Sequence, residues 1–280
     1  MSIKNLEPNG LWRNFYELTQ IPRPSKKEEK VVAFLKQFGE NLGLETIVDK
    51  VGNVIIRKPA TPGYEDRMGV VLQAHVDMVP QKNSDKVHDF EKDPIETRIE
   101  DGWVKANGTT LGADNGVGAA AAMAVLEATD LVHGPIEGLF TIDEETGMTG
   151  ANALEPGVLK GDILINMDSE TEGELYVGCA GGIDTCGYFT PKFEDVPAGS
   201  KAFQLIVKGL KGGHSGMDII LGRANANKVM NALLLKATEK FNARVADIQG
   251  GSLRNAIPRE SFVTITVPEA KAEELLAYVP

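Results

Sequence analysis

The sequence predicts an α/β protein, a mainly parallel sheet sandwiched by helices and followed by a smaller α+β unit, on three observations. Between Lys26 and Met167, short apolar runs of strand character alternate with helical periodicities, the pattern of a sheet covered on both faces. Three of those runs pass directly into acids or histidine, and open α/β sheets collect their chemistry at strand ends. After about Gly187 the order becomes strand, glycine-rich loop, helix, strand, strand, helix. Residues 1–186 and 187–280 are the expected domains.

Each element follows from its periodicity. Between Lys26 and Leu42 the residues Val31, Val32, Phe34, Leu35, Phe38 and Leu42 recur at helical spacing behind Pro22 and Pro24. Glu45 to Val48 and Asn53 to Arg57 are β-branched runs joined by a short loop containing Gly52, which reads as a hairpin. The nearly unbroken apolar run Val70 to Ala74 suits a strand buried on both faces. Ala119 to Leu126 is apolar on almost every side, a helix packed tightly on the sheet. Gly138 to Ile142 and Asp162 to Met167 are two further buried strands. In the second unit, strands at Phe203 to Val207, Arg244 to Ile248 and Ser261 to Val267 accompany helices at Ala224 to Phe241 and Glu269 to Tyr278. No closing strand follows before Pro280, so a C-terminally truncated protein is expected.

Composition narrows the function. With 280 residues, 42% hydrophobic and 25% charged, the chain can bury a core and is neither disordered nor fibrous. Lys plus Arg number 29 against 40 Asp plus Glu, and a formal charge of −11 argues against a nucleic-acid partner. Met1 to Asn9 has no apolar leader and no apolar run reaches the roughly 18 residues of a membrane span, so a cytoplasmic protein is expected. Cys179 and Cys186 make no disulfide framework and read as small buried apolar residues without a catalytic role.

The strand ends carry the chemistry. His75 and Asp77 follow the first buried strand, Asp143, Glu144 and Glu145 the second, and Asp168 the third; Asp114 stands at the mouth of the Ala-rich helix. Carboxylates gathered around one histidine repel one another unless cations neutralise them. Zn²⁺ accepts imidazole and carboxylate together, and two ions about 3.5–4 Å apart can share a carboxylate, for which Asp114 is the choice. Asp77, two residues beyond His75 in extended chain, shares its side and can hydrogen-bond the imidazole from behind. Singly these residues have plainer readings, since strand-end acids also cap helices, Asp114 included. Capping does not account for a tandem Glu144-Glu145 beside two other acid-terminated strands.

Five blocks carry a family resemblance: Ala74-His75-Val76-Asp77-Met78-Val79-Pro80, Gly112-Ala113-Asp114-Asn115-Gly116, Asp143-Glu144-Glu145-Thr146-Gly147, Asn166-Met167-Asp168-Ser169-Glu170 and Gly212-Gly213-His214-Ser215-Gly216. They resemble the co-catalytic zinc exopeptidases, a family that includes carnosinases, aminoacylases and bacterial aminoacyl-histidine dipeptidases. Leu6-Glu7-Pro8 and Ile21-Pro22-Arg23-Pro24-Ser25-Lys26 look most like the last branch. The resemblance implies a zinc-exopeptidase-like catalytic domain and an inserted ferredoxin-like lid, incomplete at its C-terminus, that forms a homodimer. It also implies metal-dependent hydrolysis of dipeptides, aminoacyl-histidine or broader, by two Zn²⁺ ions, with Co²⁺ or Mn²⁺ as substitutes. Residue by residue, it implies one metal on His75, Asp114 and Asp168, with Asp114 bridging to a second on Glu145, and Glu144 as general base.

In the same family the second metal takes a late histidine, which this sequence ends before; His88 and His133 are expected at the surface and do not replace it. His214 is either a polar turn or, by the resemblance, the lid histidine that stabilises an oxyanion. Asn255 matches a substrate-contacting lid segment, and Arg259 is either a carboxylate partner of substrate or a surface arginine. Two other readings stay open: an aminoacylase of the same fold, and an inactive metal-binding or dimerisation fragment. A phosphate-binding turn at Gly112 to Gly118 is disfavoured, because neither glycine fingerprint is present.

Overall fold

The computed structural model describes residues 2–169, 171–178, 183 and 185–279. It divides into two compact units, 1–181 and 182–280. In the first, α1 (Asn9–Thr19) buries Phe15 and Leu18, and α2 (Glu29–Asn41) buries Val31 and Leu35, one turn apart on one face. The predicted helix from Lys26 begins at Glu29, because Lys26 takes a left-handed φ of 69° and its amide donates to the Glu28 carboxylate. The hairpin β1 (Glu45–Val48) and β2 (Val54–Lys58) and the strand β3 (Val70–His75) stand where periodicity puts them.

A second hairpin, β4 (Thr97–Glu100) and β5 (Trp103–Ala106), was not anticipated. Its two-residue turn, Asp101-Gly102, has both φ values positive, as this class of hairpin turn requires. The Ala-rich helix α3 (Ala113–Glu127) is longer than predicted and buries Ala119, Ala120, Ala122, Met123 and Leu126 against the sheet. Strand β6 (Ile136–Thr141), two single-turn helices α4 (Glu144–Gly147) and α5 (Thr149–Asn152), and strand β7 (Ile163–Asn166) complete the unit.

The sheet order is β1-β2-β6-β3-β7. It is mixed: β6, β3 and β7 are parallel, whereas β1, β2 and β6 pair antiparallel. The parallel strands of the mainly parallel sheet expected lie on one side, and the β1–β2 hairpin, which can only return antiparallel, lies on the other. Strand β7 is an edge strand and not a buried one; Ile163, Leu164 and Ile165 are exposed. His75 and Thr141 are register partners, as are Gln73 and Asn166, so the chain leaves all three parallel strands at one end.

A buried ion pair joins β2 to β6. Glu137 on β6, 5% exposed at its side chain, accepts from Arg57 Nε on β2 at 2.7 Å and from the Lys160 and Gly161 amides. Burial would raise this carboxyl, but Arg57 and the two amides together hold it below the usual carboxylate range. Removing one partner of a buried pair strands the other. Glu137→Ala is expected to cost about 3–5 kcal/mol in urea unfolding at neutral pH. Because the folded pKa is depressed, this contribution is present above the ordinary carboxylate range and fades as pH falls, so the gap between wild type and variant should narrow in acid.

The second unit contains β8 (Ser200–Val207), β9 (Gly213–His214), α6 (Ala226–Phe241), β10 (Arg244–Gly250), β11 (Ala256–Ile257), β12 (Ser261–Pro268) and α7 (Ala272–Tyr278). Its antiparallel sheet runs β10-β12-β8. Asn225 caps α6 through the Asn227 and Lys228 amides, and Asn242 ends it at φ 53°. Met230, Leu234 and Phe241 of α6 pack with Leu205, Val263, Ile265, Val267 and Leu275.

Candidate metal centre

Strand β3 delivers His75, 1% exposed, at the carboxyl end of the sheet. Its Nδ1 lies 3.2 Å from Asp77 Oδ1, and its Nε2 lies 3.0 Å from Asp114 Oδ1, 3.7 Å from Asp168 Oδ1 and 3.9 Å from Glu144 Oε2. Asp114 comes from the start of α3, where it departs from helical geometry (φ −81°, ψ 112°). Asp168 follows β7 and hangs from Asn166, whose Oδ1 accepts the Asp168 amide. Glu144 and Glu145 form the first turn of α4, entered through Asp143 at a left-handed φ of 51°.

Asp77 does more than orient the imidazole. It is fully buried, and its two oxygens also accept the backbone amides of Glu144 and Glu145, at 3.0 and 3.2 Å, and the Ser25 hydroxyl at 2.8 Å. One carboxylate thus holds the histidine and the tandem glutamates in a common frame. Burial alone would raise the Asp77 carboxyl, but the His75 hydrogen bond and charge, with the Glu144 amide and Ser25, keep it low and ionised.

The charges around this centre do not balance. Burial, then Asp114, pushes Glu145 up to about 8. Burial, with Asp114 and Glu144 outweighing the favourable imidazole, pushes Asp168 up to about 7. Burial would lower His75, but hydrogen bonds to Asp114 and Asp77 carry it up to about 10. Protons therefore stand where positive charge is wanted, and a dication can replace them.

Two ligand groups have the reach to hold one: His75 with Asp114 and Asp168, and His75 with Glu144 and Glu145, each set of donor atoms lying within 4.8 Å. Imidazole and carboxylate are a donor set that Zn²⁺, Co²⁺ and Mn²⁺ all accept, so the residues fit the expected ions. A third acidic group, Glu28, Asp77 and Asp143, is wholly buried and already supplied with donors. Glu28 accepts the Lys26 and Asp143 amides, and Asp143 accepts the Thr146 and Thr149 hydroxyls, so this group braces the α4 turn.

The anticipated residues of the first unit, His75, Asp77, Asp114, Glu144, Glu145 and Asp168, thus come together. His214, Asn255 and Arg259 belong to the second unit, around the β9–β11 ladder. His214 pairs with Ala256, its Nδ1 accepts the Gly216 and Met217 amides, and Ser215 donates to the Asn255 carbonyl. Arg259 is exposed and its Nε donates to Leu210 O at 3.2 Å.

Two expectations are corrected. His88 is buried, with its ring T-shaped to that of Phe90, two residues on, at a centroid distance of 4.5 Å. Cys186 is exposed in a stretch without helix or strand, and Cys179 lies outside the described residues. Arg23, Ser25, Glu28 and Asp143 were given no role from sequence. Asp143 carried a signal as the first acid of its triplet, and Arg23 and Ser25 lie in the Ile21 to Lys26 block that bears the family resemblance, whereas Glu28 carried none.

Fold and site define a class: an α/β protein whose parallel strand ends gather one histidine and a ring of carboxylates able to hold divalent cations. Residues 71–179 match the model for peptidase family M20/M25/M40 and residues 205–279 that for a peptidase dimerisation domain; the chain belongs to this family. It is 52% identical over 277 residues to a cytosol non-specific dipeptidase from Escherichia coli, covering 99% of this chain and 57% of that one. The crystal structure of aminoacylhistidine dipeptidase from Vibrio alginolyticus matches with TM-score 0.64 and 51% identity, covering 100% of this chain and 58% of that one. The aminopeptidase PepT from Bacillus cereus shares the fold at TM-score 0.50 and 21% identity, over 98% of this chain and 70% of that one. The chain therefore spans somewhat over half the length of its two similar dipeptidase relatives.

Proposed function

We propose that this protein hydrolyses dipeptides, aminoacyl-histidine dipeptides among them, with a pair of divalent cations, zinc by preference. The single observation that carries the proposal is the ring of Asp114, Glu144 and Asp168 within 4 Å of His75 Nε2, with Glu145 beside it in charge contact. High identity to relatives named as dipeptidases supports the substrate class.

In this reading His75, Asp114 and Asp168 would hold one ion, and Asp114 would be shared with a second that Glu145 would hold. Bound there, the ions supply an acidified water and a Lewis acid for the scissile carbonyl. Glu144, reaching into the cluster from an amide fixed by Asp77, takes the water's proton on its carboxylate and returns it to the departing amine. Asp77, 3.2 Å from His75 Nδ1, would keep the proton on that nitrogen and leave Nε2 to serve as the ligand.

Residues 1–186 form the catalytic part. Residues 187–280 form the lid through which two copies dimerise, supported by the match to a dimerisation domain. There His214 serves as oxyanion donor and Asn255 and Arg259 as substrate contacts. A cytoplasmic setting fits the cytosolic relative, and among the described residues no helix is long and apolar enough to cross a membrane.

The test is hydrolysis of a panel of dipeptides and N-acyl amino acids by protein stripped with a chelator and then reloaded with Zn²⁺, Co²⁺ or Mn²⁺. Dipeptide cleavage that vanishes on stripping and returns with metal is expected. Cleavage indifferent to the chelator would defeat the metal reading, and preference for N-acyl amino acids would make the protein an aminoacylase.

A further inference from the structure

We infer that the loop from Arg23 to Glu28 is a brace that fixes three cation-binding turns relative to one another, with Arg23 as its principal positioning residue. The inference rests on the metal reading proposed above and adds to it the residues that pre-form the site.

The loop is built by its sequence. Pro22 and Pro24 hold the chain extended, and Pro24 bridges Met78 in parallel while the Met78 amide donates to the Arg23 carbonyl at 3.1 Å. The loop therefore runs beside the exit of β3, directly behind His75. Lys26 then turns the chain at positive φ and α2 begins.

From this track, three side chains reach three different turns. Arg23 is 2% exposed, and its hydrogen bonds go to backbone carbonyls. Nη1 donates to Val76 O at 2.9 Å and Asp77 O at 3.1 Å, and Nη2 to Gly112 O at 2.6 Å. The first two carbonyls follow His75 and the third precedes Asp114, so one planar guanidinium ties the imidazole segment to the segment of the bridging carboxylate. Ser25 donates to Asp77, and Glu28 accepts the Asp143 amide at 3.1 Å, which anchors the turn bearing Glu144 and Glu145.

The guanidinium is closely enclosed. A Cβ added at Gly112, which has φ 70°, or at Gly116 would lie 2.6 Å from Nη2. Arg23 Nε is buried without a hydrogen-bond partner. A charge kept in so costly a place needs compensation. Burial lowers its pKa to about 10, and the nearby charges of Asp77, Asp114 and Glu145 oppose that loss. The same charge partly offsets the mutual repulsion of those acids while no cation is bound.

Geometry and charge make opposite forecasts, which allows a decision. A fixed positive charge repels an incoming dication, so if charge alone mattered, its removal would tighten metal binding. If Arg23 positions the turns, its removal loosens them and weakens binding. The experiment measures Zn²⁺ affinity by chelator competition, the visible spectrum of Co²⁺-loaded protein, and thermal melting of the metal-free protein, for wild type, Arg23→Met, Arg23→Lys and Ser25→Ala. Arg23→Met is expected to bind Zn²⁺ ~10–100-fold more weakly with an altered Co²⁺ spectrum, and Arg23→Lys to recover part of both. Should Arg23→Met not fold, Ser25→Ala keeps the guanidinium and is expected to weaken Zn²⁺ about 10-fold with an unchanged metal-free melt. Folded variants with wild-type or tighter affinity and an unchanged spectrum would overturn the brace alone; a wild type that binds no Zn²⁺ would overturn the metal reading beneath it.

Discussion

Glu144→Gln protein is expected to lose dipeptide turnover by ~10²–10⁴-fold while keeping its metal. The glutamine preserves the size of the side chain and the Glu144 amide bond to Asp77, so the turn should stay in place. What disappears is the carboxylate that accepts the proton of the attacking water. Glu144 suits that task by position: its Oε2 stands 3.9 Å from His75 Nε2, too far for a hydrogen bond but within reach of anything held between them. The measurement is kcat with metal content by elemental analysis on the same sample. Turnover at the wild-type rate would remove Glu144 from the general-base role, whereas loss of metal together with turnover would make it a ligand.

Asp114→Ala should empty both positions rather than one. Asp114 Oδ1 is 3.0 Å from His75 Nε2, and its charge contributes to raising both Glu145 and Asp168. A purely electrostatic view of an acidic patch would have the remaining carboxylates relax to lower pKa values and keep whatever cations they attract. A bridging ligand predicts the reverse, because each ion loses a donor at once. Metal per chain after dialysis, with His75→Ala as a control that should also lose metal, separates the two. Two ions retained by Asp114→Ala would end the bridging assignment, and one ion would confine Asp114 to a single metal.

The proposed site residues were legible in the sequence because two local rules coincide on them. Buried strands are apolar runs, and open α/β sheets place their chemistry where those runs stop, so His75, Glu144, Glu145 and Asp168 could be found by walking off the ends of Val70 to Ala74, Gly138 to Ile142 and Asp162 to Met167. Asp114 was legible from its place before a strongly apolar helix. Asp101-Gly102 carries an equally local hairpin-turn signal. The exposure of β7 could not be read from its composition, since apolar side chains look the same on an edge strand as on a central one.

Local pattern is enough to set the alternation of strands and helices, the acidic and imidazole side chains at the strand ends, and the change of architecture after residue 187. These depend on periodicity and on chemistry carried within a few residues of chain. It takes long-range packing to make Asp77 serve two turns at once, to bring Glu137 and Arg57 together across the sheet, and to bury Arg23 behind the centre with its hydrogen bonds on the carbonyls of residues 76, 77 and 112. The reason is physical: burial and hydrogen-bond partnership across 50 to 90 residues of chain are properties of packing, and no local pattern distinguishes an arginine that will be enclosed from one that will stay in water.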